Sequence, residues 1–278
     1  DFCLSRGLGD VYKRQLVGGL ASPIFIPLSG WLLPQIGWRT TLLWYGVLHL
    51  ALAVPLHAWL VRRAPEQQSP VNQALSEGSA ETSSTARQAL VSVRFWLLTG
   101  AYALALLGSA VVFAHQIAYL VSRGYGAFLA ATVAGALGLA SLPGRFFLNV
   151  LSARVLPQTV LVGTLLVQAA GVLMLILAPS TPWLWVYVLL YGAAFGALSP
   201  LRAQVMADHF GQRSYGAITG FQGIPLAFCQ AAGPLIAGWL FDTIYHYDLA
   251  FWLCVGSFVM AALLLLGLPH PDRRHIGG

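Results

Sequence analysis

SLPGRFFLNVLSAR, residues Ser141 to Arg154, closes a long apolar run that begins near Ala127. At helical spacing Gly138, Ser141, Arg145, Asn149 and Ser152 fall on one stripe, which Gly135 and Ala131 extend. Leu139, Phe146, Phe147 and Val150 take the other side. A charge facing hydrocarbon costs several kcal/mol by most estimates, so an arginine on a small, polar stripe is expected to face a bundle interior or a wet cavity. The alternative is that Arg145 stands near a membrane edge and its long side chain snorkels to lipid phosphates. Either way, the stretch reads as part of a membrane-spanning helix.

The composition agrees. Of 278 residues, 58% are hydrophobic and 9% charged, where soluble domains carry roughly 25% charged residues. The mean hydropathy is +0.72. The charges cluster in short segments between long apolar runs, so the net charge of +6 is a matter of topology and not of nucleic-acid binding. Cys3, Cys229 and Cys254 have neither metal-ligand nor disulfide spacing, and the last two lie in apolar runs as packing residues. The head, residues 1–15, is polar, of mixed charge and too short to span; it is no signal peptide, because it lacks an apolar core. It reads as a non-native scar on a truncated gene or as a native cytoplasmic segment.

Eight runs approach the twenty residues needed to cross roughly 30 Å of hydrocarbon. They are Leu16–Ile36, Thr40–Val61, Phe95–Leu120, Ala127–Val150, Thr159–Ala178, Pro182–Ala207, Ala217–Phe241 and Leu249–Leu268. The first is dense in Gly and Pro, a pattern tolerated where neighbouring helices satisfy the freed backbone. Residues 62–94 form a polar loop rich in Ser, Glu and Gln, part of which suits an interfacial helix. Residues 269–278 form a tail. The six runs after the loop are joined by short links, which force antiparallel neighbours.

Of the fifteen arginines and lysines, ten fall on the side that holds the loop, two (Arg39 and Arg123) on the opposite side, and three in the head. That bias puts the loop, the head and the C-terminus in the cytoplasm. The expected fold is an all-α polytopic membrane protein in a cell (inner) membrane.

Four segments carry a resemblance. PLSGWLLPQIGWR resembles the fifth helix and exit of the major facilitator superfamily, and GRFFLNVLSAR resembles its signature between helices eight and nine. HFGQRSYGAITG resembles the loop before helix eleven, and AAGPLIAGWLFD that helix itself. RFWLLTGAYALALLGSAVVFAHQIAYLVSRG is similar to the seventh helix of the monocarboxylate and oxalate/formate type. The resemblance covers about Leu16 to Leu268. It implies a truncated twelve-helix fold, helices five to twelve: residues 16–61 end an N-terminal half, and residues 95–268 make a six-helix C-terminal half. It also implies alternating access between two halves around a central site. A chain of this extent is expected not to transport by itself. The resemblance further implies an anion-binding arginine at Arg145. The aspartate that such carriers tend to have one turn earlier is Ser141 here, and the acid common before the second basic residue of the signature is missing from Leu151-Ser152-Ala153-Arg154.

The candidate substrate-binding residues are Arg145, His115, Gln116, Tyr187, Tyr191 and Gln222. A guanidinium fork offers a carboxylate two parallel charge-assisted hydrogen bonds. His115 is either a core residue or a cavity residue that exchanges protons, and Tyr187 and Tyr191 suit cavity walls and core packing equally. Arg202 is expected to snorkel, and Gln222 to bond across helices or line the cavity. Gly144, Asn149, Arg154, Gly233 and Pro234 are the signature and gating candidates, while Gly220, Gly223, Gly233 and Pro234 read as close-contact and bending positions. No carboxylate lies within the eight runs; Asp208, Asp242 and Asp248 stand at their ends. A coupling proton or a counter-anion are both compatible with that pattern. Nothing resembles a nucleotide loop, a metal cluster or a catalytic triad, so no cofactor, metal or catalytic residue is assigned.

The function expected is secondary transport of a small organic anion, monocarboxylate-like, as antiporter or symporter. The alternatives are a carrier of the same scaffold for a drug, sugar or nucleoside, a polytopic membrane enzyme and a permease subunit. An enzyme requires convergent His, Asp or Glu at one membrane depth, a pattern this sequence lacks. A permease subunit is disfavoured by the carrier-like segments.

Overall fold

Gly37 adopts φ 74° and ψ 164°, a backbone conformation that suits glycine because it has no Cβ. A computed structural model describes residues 21–60, 86–211 and 214–269, and Gly37 bends the first helix in it, α1 (Ala21–Leu60). Phe25 and Tyr45 meet edge to face at 5.5 Å, and Ser29 Oγ lies 3.0 Å from the Tyr45 hydroxyl. In a straight helix, positions sixteen apart would be separated by about 24 Å. α1 is therefore a hairpin, and its arms correspond to the first two apolar runs as far as the described residues reach.

The other helices are α2 (Ala86–Val91), α3 (Val93–Ser122), α4 (Ala127–Arg154), α5 (Pro157–Leu177), α6 (Thr181–Phe210), α7 (Tyr215–Ile244) and α8 (Asp248–Leu266). No strand occurs among the described residues. α3 to α8 are each long and apolar enough to cross a membrane. The loop expected at 62–94 gives way to helix earlier than its polarity suggests. α2 occupies part of it, and α3 starts at Val93, where the Ser92 hydroxyl accepts from the Phe95 amide at 3.2 Å and caps the helix. The head, residues 61–85 and residues 270–278 lie outside the described residues.

α4 packs on α6, α6 on α5, α5 on α8 and α8 on α3, and a lighter α3–α4 contact closes the ring. α7 lies against α3, and the α1 hairpin against α4. Backbones come very close at the α4–α6 crossing. A Cβ at Gly144 would overlap the Ala193 backbone, and one at Gly196 the Ser141 backbone. Likewise a Cβ at Gly233 would lie 2.7 Å from the Leu107 carbonyl oxygen, so α7 seats there on α3.

The two ends of the bundle are tied differently. At the first, Arg123 Nη1 donates to the Tyr119 hydroxyl at 3.1 Å and to the Ile176 carbonyl at 3.3 Å. Tyr119 donates in turn to Asp248 Oδ1 at 3.1 Å, and Arg123 and Asp248 stand 3.7 Å apart. At the second, Gln158 Nε2 donates to the carbonyls of Leu265 at 2.8 Å and Leu268 at 3.0 Å, while Phe95 meets Phe210 edge to face. These are called below the Arg123 end and the Phe210 end.

Candidate functional site

Gln116, Ser109 and Tyr102 follow one another at seven-residue steps along α3, a spacing that keeps them on one face. α6 runs antiparallel to that face and sets Tyr187, Tyr191 and Arg202 beside it in the same order. Tyr187 donates to Gln116 Oε1 at 2.7 Å, with both side chains buried. One step along, Tyr191 is fully buried, with its hydroxyl beside that of Ser109. Rings surround Tyr191: Tyr187 at 5.6 Å, Phe113 at 6.2 Å, Phe258 at 6.1 Å and Phe195 at 6.3 Å. At the third step the Arg202 guanidinium lies over the Tyr102 ring, 5.8 Å from its centroid. Arg202 Nε donates to Gln222 Oε1 on α7 at 3.0 Å, and Gln222 Nε2 donates to Met206 Sδ at 3.5 Å.

Arg145 occupies α4 near the Phe210 end. It is half-buried and shares a side of the helix with Ala134, Ser141 and Ser152, all buried; Leu139 and Phe147, exposed, lie on another side. The apolar window of α4, Ala127–Arg145, closes on the arginine itself. Arg145 makes no hydrogen bond or ion pair with any described residue. Gly144, the next residue, turns to α6 instead. Asn149 belongs to the same helix, and Arg154 is exposed at its last turn.

His115 and Gln116 are neighbours in sequence and face different helices. His115 Nε2 donates to the Pro234 carbonyl on α7 at 3.1 Å, and its ring lies 5.3 Å from that of Tyr247. This bond ties α3 to α7 at the proline, one residue from the close contact at Gly233.

The structure therefore joins Gln116 to Tyr187, with Tyr191 beside them, and His115 to Pro234. It leaves Arg145 on a separate helix from all of these. Arg202 turns inward and engages Gln222, where snorkelling to lipid was expected. Tyr102, which sequence reading passed over, floors it. The signal for Tyr102 was the seven-residue step on α3. Gly220 and Gly223, expected at close contacts, have nothing within 4 Å of a built Cβ. Among the described residues, no group of three His, Cys, Asp or Glu is placed to hold a metal.

The family model described as Major Facilitator Superfamily matches residues 14–229. The chain belongs to the Major Facilitator Superfamily. Among similar proteins is monocarboxylate transporter 13 of Bos taurus, 26% identical over 278 aligned residues, which cover 96% of this chain and 62% of that relative. Multidrug resistance protein B homologs from two Mycobacterium tuberculosis strains, CDC 1551 and H37Rv, are each 27% identical over 113 residues, 40% of this chain and 20% of theirs. The chain thus spans about three fifths of the monocarboxylate relative's length. Membership makes it an integral membrane protein of a transporter superfamily.

Proposed function

We propose that the chain forms part of a secondary carrier that moves a small organic anion, monocarboxylate-like, by alternating access. The observation that carries this reading is Arg145: a half-buried guanidinium on the inward side of a spanning helix, paired with no described residue. Among the described residues of α6, α7 and α8, the carboxylates of Asp208, Asp242 and Asp248 stand within the terminal turns. A cation in a low-dielectric wall without a protein counter-charge is costly to maintain. An anionic solute that binds there supplies the missing charge, and a planar carboxylate matches the fork of the guanidinium. The monocarboxylate relative supports the same solute class.

The test is uptake of radiolabelled pyruvate into proteoliposomes by the protein expressed from its whole gene. Arg145→Lys keeps the charge and loses the fork, so it should raise the apparent KM at least tenfold. Unchanged affinity in that variant would remove the basis of the proposal. The aromatic wall of Phe113, Tyr191 and Phe195 and the multidrug relatives favour a second reading, a larger apolar solute. A lipophilic cation transported in place of pyruvate would establish it.

A further inference from the structure

The junction of α3, α6 and α7 near the Phe210 end gathers hydrogen-bond donors that the described protein does not use. Arg202 has its Nε committed to Gln222, which turns the two terminal nitrogens of the fork away from that bond. Neither terminal nitrogen bonds to a described residue. Tyr102, 2% exposed, lies under the guanidinium, and its hydroxyl is buried with no partner. Gln222 is completely buried and is held from its other side by Met206. A buried hydroxyl without a partner is uncommon, because leaving it unsatisfied costs about 1–3 kcal/mol. Here one stands beside a cation whose two terminal nitrogens have no acceptor among the described residues.

We infer that Arg202 and Tyr102 form an oxyanion-binding site, with Gln222 as a positioning residue. The guanidinium would take two oxygens of a carboxylate or phosphate, and the tyrosine hydroxyl would donate to one of them. Gln222 fixes the rotation of the fork through Nε, which sets the plane in which the anion is received. Tyr102 contributes its ring face to the cation and its hydroxyl to the anion. Two sources carry this chemistry: the carboxylate of a transported solute, which rests on the reading in Proposed function, and the phosphate of a lipid headgroup at that end of the bundle. Arg145, on α4, takes part in none of these bonds.

The experiment uses the chain in nanodiscs, once in phosphatidylcholine alone and once with phosphatidylglycerol added. Radiolabelled pyruvate binding is measured in the first and retained phosphatidylglycerol by native mass spectrometry in the second. Arg202→Lys and Tyr102→Phe are compared with wild type and with Arg145→Lys. A solute site predicts that Arg202→Lys weakens pyruvate binding at least tenfold and Tyr102→Phe severalfold. A lipid site predicts that the two variants lower phosphatidylglycerol retention and leave pyruvate unchanged. Either result supports the assignment and names the source. Gln222→Leu separates positioning from folding: it should weaken the same ligand while melting within a few degrees of wild type. If both Arg202→Lys and Tyr102→Phe leave pyruvate affinity and lipid retention as in wild type, the site is overturned, whatever Arg145→Lys does. Loss of pyruvate binding in Arg145→Lys alone, with lipid retention unchanged in the Arg202 and Tyr102 variants, would keep the anion-carrier proposal while this one fails. A wild-type chain that binds no pyruvate counts against the carrier reading, and the lipid measurement then decides this site.

Discussion

Tyr187 and Gln116 make a short side-chain bond between two spanning helices, 2.7 Å, and neither is accessible. Tyr187→Phe removes the donor and leaves Gln116 Oε1 buried and unpaired, a loss of about 1–3 kcal/mol. Gln116→Leu makes the converse deletion and strands the tyrosine hydroxyl. The double variant removes both polar atoms, so its melting temperature in detergent should fall by less than the sum of the single shifts. Additive shifts would show that the two groups do not act as a pair. The sequence named both residues, and Tyr191 with them, but only as members of helix faces. Helical spacing tells which side chains share a side of one helix; it does not tell which helix that side meets. For the same reason Arg202 was read as a residue near a membrane edge. Its partner, Gln222, is twenty positions away and belongs to the next helix, beyond the 211–214 link.

The α4–α6 crossing depends on glycine at specific places. A methyl group at Gly144 meets the Ala193 backbone and one at Gly196 meets the Ser141 backbone, and neither obstacle is a flexible side chain. Gly144→Ala and Gly196→Ala should each force the helices apart and cost about 1–3 kcal/mol or more. Gly163→Ala, on α5 with nothing within 4 Å, is the control and should be neutral or slightly stabilising. Thermal unfolding of the three variants in one detergent checks the ordering, and equal melting of all three would contradict it. The spans themselves were legible because run length and apolarity are local properties. Leu249–Leu268 and Ala217–Phe241, for example, lie within three residues of the observed helix ends. The order of the ring was not legible, since α5 touches α8 and α8 touches α3 although they are far apart in sequence. α2, ARQALV, is too short to register as a span and falls in the loop of which part was expected to suit an interfacial helix; Ala, Leu and Gln are good helix formers.

The two ends of the bundle differ in how firmly they are tied. At the Arg123 end, the Arg123 and Asp248 side chains are 39% and 51% exposed, so water screens the pair and Arg123→Ala should cost no more than about 1 kcal/mol. At the Phe210 end, buried Gln158 serves two carbonyls at the close of α8. Gln158→Leu should therefore lower the melting temperature more than Arg123→Ala does, and the reverse order would contradict the burial argument. The same two ends carry the arginine asymmetry. Arg39 and Arg123 belong to one, and the Phe210 end holds Arg94, Arg145, Arg154 and Arg202. Cytoplasmic excess of Lys and Arg sets orientation in membrane proteins, so we infer that the Phe210 end faces the cytoplasm. Ser180 and Ser214 stand at opposite ends, in the α5–α6 and α6–α7 links. With Cys3, Cys229 and Cys254 replaced by serine or alanine, Ser180→Cys should react with a membrane-impermeant maleimide added to intact cells. Ser214→Cys should react only after the cells are opened. Labelling of Ser214→Cys from outside would invert the orientation and with it the side from which Arg145 and Arg202 are reached. Labelling of both from one side would mean that α6 does not cross the bilayer, and the stacked polar steps from Gln116 to Arg202 would then not run through its thickness.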